Sequence, residues 1–218
     1  MAKFNVAREL RFCANIVIPS KERALDTATN IFQCNAGRRH RVFFTDGSTI
    51  TTPKSLKKAR AIPSGAAVAY QPLTPKKDRH WNVKHFTLTS RGRDSAFTEL
   101  AAIVHALTFA VMERALYLDN NKKTSNGKAR WSKVTVFSDC TSVLQTISKL
   151  RESTTINARL LDDPIIRHLM AVSQYLCDNE VQLELRWVPG HSSVEGNCHA
   201  NAAARYAAKH PYVGMHLE

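Results

Sequence analysis

Three carboxylates stand where a folded sheet would let them meet. Asp46 follows the β-branched and aromatic run Val42-Phe43-Phe44-Thr45, Asp139 follows the short apolar run Val134 to Phe137 and Ser138, and Glu99 lies in the first turn of a long helical pattern. Strand ends and helix starts are where a mixed sheet exposes side chains to a shared cleft. Carboxylates crowded together repel one another, and hard divalent cations with oxygen ligands are the usual remedy. Mg²⁺ or Mn²⁺ is implied, not zinc. Two such ions about 4 Å apart activate a water and stabilise the leaving oxygen in phosphodiester cleavage. Each acid alone has an ordinary use: Asp46 before Gly47 forms turns, Glu99 near a helix N-terminus favours the macrodipole, and Asp139 caps the helix after it. Only the combination points to a metal site.

The pattern of the chain supplies elements to hold these residues. Val42 to Thr45 reads as a strand ending in the turn Asp46-Gly47-Ser48, and after a basic, Pro-marked segment (Thr52 to Pro63) Gly65 to Tyr70 reads as a second strand. Trp81 to Thr89 alternates as a third. Phe97, Leu100, Ala101, Val104, Leu107 and Val111 recur at helical spacing and predict a helix from Ala96 to Leu118, capped by Asp94 or Ser95. A strand from Val134 to Phe137, helices from Thr141 to Leu150 and from Pro164 to Cys177, a strand from Val181 to Val188 and a helix from Asn197 to Ala208 follow. The order is that of an α/β protein with a mixed sheet covered by helices, not a doubly wound parallel sheet. Residues 1–37 read as an extra strand and helix packed on the main domain.

With 218 residues and 44% hydrophobic content the chain can bury a real core. No uninterrupted apolar run reaches the roughly 18 to 20 residues that cross a bilayer, so no membrane partner is expected. A net charge of +13 and a pI near 9.8 call for a polyanionic partner, nucleic acid before membrane. The basic runs Arg38 to Arg41, Lys54 to Arg60, Lys76 to Arg79 and Lys122 to Lys133 would contact phosphates and make binding steeply salt-dependent. Cys13, Cys34, Cys140, Cys177 and Cys198 form no C-x-x-C pair, which suits a reducing compartment rather than a disulfide framework or zinc knuckle. The charged N-terminus lacks a signal-peptide core. An intracellular monomer of nucleus or cytoplasm is expected, with a mitochondrial address left open.

Phe44-Thr45-Asp46-Gly47-Ser48, Thr98-Glu99-Leu100, Phe137-Ser138-Asp139-Cys140 and above all the stretch from Trp187-Val188-Pro189-Gly190-His191 to Asn197 resemble the type 1 ribonuclease H family, nearest to its retrotransposon domains. The resemblance covers Arg38 to Ala208. It implies a ribonuclease H-like domain over 38–210, with a five-stranded mixed sheet of three antiparallel and then parallel strands, an N-terminal extension 1–37 and a tail 211–218. It further implies a two-metal endonuclease that cuts the RNA strand of an RNA–DNA hybrid without regard to sequence. Asp46, Glu99 and Asp139 take the positions of the family's metal-binding carboxylates, and His191 that of its mobile loop histidine, which serves proton transfer or product departure.

One position departs from the pattern. Where the family carries a fourth metal-binding aspartate, this chain has Asn201, which offers a carbonyl oxygen to a metal but no charge. Two readings follow: an endoribonuclease whose activity is reduced, or a weakened or inactive module that binds a hybrid, structured RNA or a ribonucleoprotein assembly. Trp81 and Trp131 lie near basic runs, where stacking on a base competes with the ordinary expectation of core packing.

Overall fold

Successive residues of a strand point to opposite faces, and Val42-Phe43-Phe44 is apolar on both, so it predicts a strand covered on two sides. The computed structural model describes residues 12–31, 40–50, 62–72, 80–90, 95–122, 131–152 and 162–211 and shows that three-layer arrangement. Its elements are β1 (Asn15–Val17), α1 (Lys21–Asn30), β2 (His40–Thr49), β3 (Ile62–Tyr70), β4 (Asn82–Ser90), α2 (Ser95–Lys122), β5 (Lys133–Ser138), α3 (Thr141–Glu152), α4 (Pro164–Asp178), β6 (Gln182–Trp187) and α5 (Glu195–Lys209). The basic runs Lys54 to Arg60 and Lys76 to Arg79, and residues 212–218 of the tail, lie outside the described residues.

The sheet runs β1-β6-β5-β2-β3-β4. Strands β2, β3 and β4 pair antiparallel, while β2, β5, β6 and β1 pair in parallel. The fold is the mixed α/β arrangement the sequence predicts, with six strands instead of five. The additional strand is β1, three residues paired with β6. It is the extra strand expected within residues 1–37, with α1 the helix expected beside it, and its pairing with β6 adds it to the five strands of the main sheet.

Phe43, Val134, Val136 and Leu185 face one apolar cluster with Ile103 and Leu107 of α2, Leu144 and Ile147 of α3 and Leu169 and Leu176 of α4. Val42, Phe44 and Phe137 face the other with Ala200 of α5 and Ala28 of α1. Helix α2 is long and apolar enough to cross a membrane, yet half of its apolar window is buried in the fold. It packs across β2, β3, β5 and α4 as the central helix of its layer. On the opposite face α5 lies tight against β3. A Cβ at Gly65 would meet the Ala204 carbonyl oxygen at 2.2 Å and the Ala208 nitrogen at 2.5 Å, so only glycine permits that approach.

Several basic and aromatic residues turn out to serve the core. Arg41, 3% exposed, donates from Nε and Nη2 to the two carboxylate oxygens of Glu113, each at 2.7 Å, and lies over the rings of Phe43 and Tyr70. It is not offered to phosphates. Lys133 pairs with Glu184 at 3.2 Å. Trp131 is buried beside Arg114, and Trp81 packs edge-on against Phe44.

Candidate active site

Parallel pairing of β2 with β5 places Thr45 opposite Ser138, so the residues that follow, Asp46 and Asp139, emerge side by side. Strand β2 does not end there. It continues through Asp46-Gly47-Ser48 to Thr49, with Asp46 paired to Ala67 and Gly47 to Ala66 of β3. This corrects the turn expected at Asp46-Gly47. The glycine serves close packing instead: a Cβ on Gly47 would lie 2.5 Å from the backbone nitrogen of Glu99 and 2.6 Å from the Thr98 carbonyl carbon. Helix α2 can therefore rest on the strand, with Thr49 and Thr98 hydroxyls 3.1 Å apart. Glu99 is the fifth residue of α2 and so lies in its second turn, not its first. From there its carboxyl group reaches over the strand edge, and the Gly47 N–H donates to it.

One ligand oxygen from each of Asp46, Glu99 and Asp139 lies within 4.8 Å of the others. Asp46 and Glu99 are buried, at 6% and 8% exposure, and Asp139 is half-buried. Burial pushes Glu99 up to about 9, with the neighbouring charges of Asp46 and then Asp139 adding to it against the Gly47 N–H. Burial also lifts Asp46 to about 7, followed by repulsion from Asp139, while Arg205 of α5 opposes the rise. Asp139 is raised by burial as well, opposed by the Asn197 amide, its own backbone N–H and His191. Three acids that resist ionising together form a site short of positive charge. Glu99 Oε2 is buried without a hydrogen-bond partner among the described residues, an acceptor suited to a cation.

The Asp139 turn is held from several sides. Thr45 Oγ1 donates to the Phe137 carbonyl at 2.9 Å, and the Val188 N–H donates to the Ser138 carbonyl at 3.0 Å. Trp187 Nε1 donates to the Asp139 carbonyl at 3.2 Å. Gly190 passes so close that a Cβ there would sit 2.9 Å from Asp139 Oδ2. His191 follows on the exposed rim with φ 53, in the left-handed region that a side chain disfavours. Asn197, 2% exposed in the first turn of α5, donates its amide to the Asp139 carboxylate.

Asn201 lies one turn beyond Asn197 on α5, partly buried, and Arg205 one turn further. Asn197, Trp187 and Gly190 were visible in sequence only as parts of a motif, and Gly47 only as a turn former. The spacing of Asn197 and Asn201, four apart in a helix, was the available sign that they share a face. Nothing in the pattern marked Arg205. His199 is a half-exposed residue whose ring lies against Trp81 and whose Nε2 is 3.9 Å from Glu195.

The whole span that builds this site, residues 38–209, matches the family model for RNase H. The chain belongs to the RNase H family. No curated protein matches it. Among solved structures it is similar to the foamy viral protease-reverse transcriptase in complex with RNA/DNA hybrid, at 14% identity over 80% of this chain and 20% of that one, TM-score 0.49. It is also similar to LC9-RNase H1, a type 1 RNase H with the type 2 active-site motif, at 17% identity over 79% and 73%, TM-score 0.45. A third is the N-terminal RNase H domain of rv2228c from Mycobacterium tuberculosis, at 18% identity over 78% and 97%, TM-score 0.39. This chain spans about a fifth of the length of the foamy viral chain it matches.

Proposed function

We propose that the protein is a metal-dependent endoribonuclease that cleaves the RNA strand of RNA–DNA hybrids. The observation that carries this reading is the convergence of Asp46, Glu99 and Asp139 within 4.8 Å in a chain of the RNase H family. These residues fit hard divalent cations: three carboxylates, two of them buried, one oxygen without a hydrogen-bond partner among the described residues, and pKa values raised by burial and then by mutual repulsion. Asp46, Glu99 and Asp139 would hold Mg²⁺ or Mn²⁺, with the amide oxygen of Asn201 as a neutral fourth ligand. A pair of such ions, when bound, supplies an activated water and counter-charge for the leaving oxygen.

The remaining work falls to the chain itself. The Gly47 N–H orients the Glu99 carboxylate, while Trp187 and the Asn197 amide hold Asp139 from backbone and side chain. His191, on the exposed rim, would assist proton transfer or product departure through its imidazole. The net charge of +13 favours a polyanionic duplex. A second reading is favoured by Asn201: losing one negative charge from the ligand set weakens metal affinity, leaving a module that binds more than it cuts.

One experiment separates the two. Purified protein with Mg²⁺ or Mn²⁺ is given an end-labelled RNA–DNA hybrid, and cleavage and gel shift are read together. The enzyme reading expects cleavage, a roughly tenfold gain in metal affinity with Asn201→Asp, and loss of cutting with Asp139→Asn. A hybrid that is shifted but left intact, or equal rates in all three proteins, refutes it.

A further inference from the structure

Strand β1 and helix α1 precede the span shared with the family, residues 38–209, yet β1 pairs with the strand that runs into the His191 loop and α1 shares an apolar cluster with the valines flanking it. Strand β1 pairs in parallel with β6, its register ending at Val17 opposite Arg186. One residue later β6 ends at Trp187, and the chain runs directly into Val188, Pro189, Gly190 and His191. Helix α1 follows β1 after a three-residue link and brings Ala28, with Leu25 and Ile31, into the apolar cluster that contains Val188 and Val194. Those two valines, 0% and 4% exposed, flank the His191 loop on either side.

The other helix on this face, α5, packs on β2, β3 and β4. The cluster also includes Phe137 of β5, and among the described residues α1 is the one further helix that contributes to it. His191 itself holds φ 53, a conformation that persists only where the surrounding chain imposes it. Gly190, next to it, leaves no room for a Cβ beside Asp139. A loop with this geometry needs firm anchors on both sides, and the anchors are the two valines.

We infer that β1 and α1 form a brace that positions His191, β1 through its pairing with β6 and Ala28 as a positioning residue acting through the apolar cluster that holds Val188 and Val194. The inference rests on the reading of His191 as a residue of the proposed active site. The test uses the full chain with Ala28→Gly, which removes one buried methyl and loosens α1 without introducing charge. Amide hydrogen exchange is expected to quicken about tenfold at Gly190 to Val194, with α3 and α4, which pack in the other apolar cluster, unchanged. Unchanged loop exchange, or an equal rise in α3 and α4, overturns the brace.

Kinetics supply a second readout. Ala28→Gly is expected to lower kcat on the hybrid about fivefold with KM unchanged, and to cost nothing further in a His191→Ala background. An equal loss in both backgrounds overturns the brace. If the wild-type protein leaves the hybrid intact, the catalytic reading fails, and the exchange comparison decides the brace by itself.

Discussion

Replacing Glu99 by Gln reaches the electrostatic centre of the site. Two unit charges 4.8 Å apart, at the effective dielectric near 20 that suits protein sites, repel by roughly 3.5 kcal/mol. Glu99 faces two such neighbours, Asp46 and Asp139, and its Oε2 is buried without a hydrogen-bond partner among the described residues. Its folded-state pKa of about 9 lies above the ordinary value of 4.5. Between those values the metal-free folded protein keeps a proton that the unfolded chain has released. Stability from this group is therefore complete at low pH and lost as pH rises toward 9.

The glutamine variant has no such proton to lose. Urea unfolding of chelator-treated protein at about pH 6 and about pH 9 should show the wild type losing about 3 kcal/mol more than Glu99→Gln across that interval. Saturating Mg²⁺ should restore the wild type at the higher pH, by about 2.7 kcal/mol at a hundred times Kd, and restore the variant much less. A wild type equally stable at both pH values without metal, or a variant with the same pH slope, would refute the picture of three mutually strained acids.

Two glycines carry further expectations. Gly47→Ala puts a Cβ 2.5 Å from the Glu99 nitrogen, against backbone that cannot step aside, and should cost about 1–3 kcal/mol in urea unfolding; an unchanged midpoint would contradict the close packing of α2 on β2. Gly190→Ala meets the end of the Asp139 side chain at 2.9 Å instead. It should leave stability nearly unchanged and lower kcat on the hybrid about tenfold by displacing the carboxylate; full activity would show that Asp139 tolerates the shift.

Local chemistry made much of the molecule legible. Helices α2 to α5 appear at their predicted places because each carries an apolar face at helical spacing, a signal contained within a dozen neighbouring residues. Asp139 and His191 follow strands whose short apolar runs and terminal Pro189-Gly190 are equally local. Arg41 shows the opposite case. In sequence it belongs to a basic run facing phosphate, and in the fold it is buried against Glu113, a partner 72 positions away.

The acidic residues divide along the same line. That Asp46, Glu99 and Asp139 are acids in the right order belongs to the polypeptide as written. That they meet depends on the parallel register of β2 with β5, on β2 continuing where turn propensity would stop it, and on α2 settling against a bare glycine. Those are contacts between segments distant in the chain, and no local preference encodes a distance. The pairing of β1 with β6, the burial of Asn197 and the place of α1 in the cluster of Val188 and Val194 come from the same source: packing satisfies backbone and apolar surface wherever partners exist in space, whatever their separation along the chain.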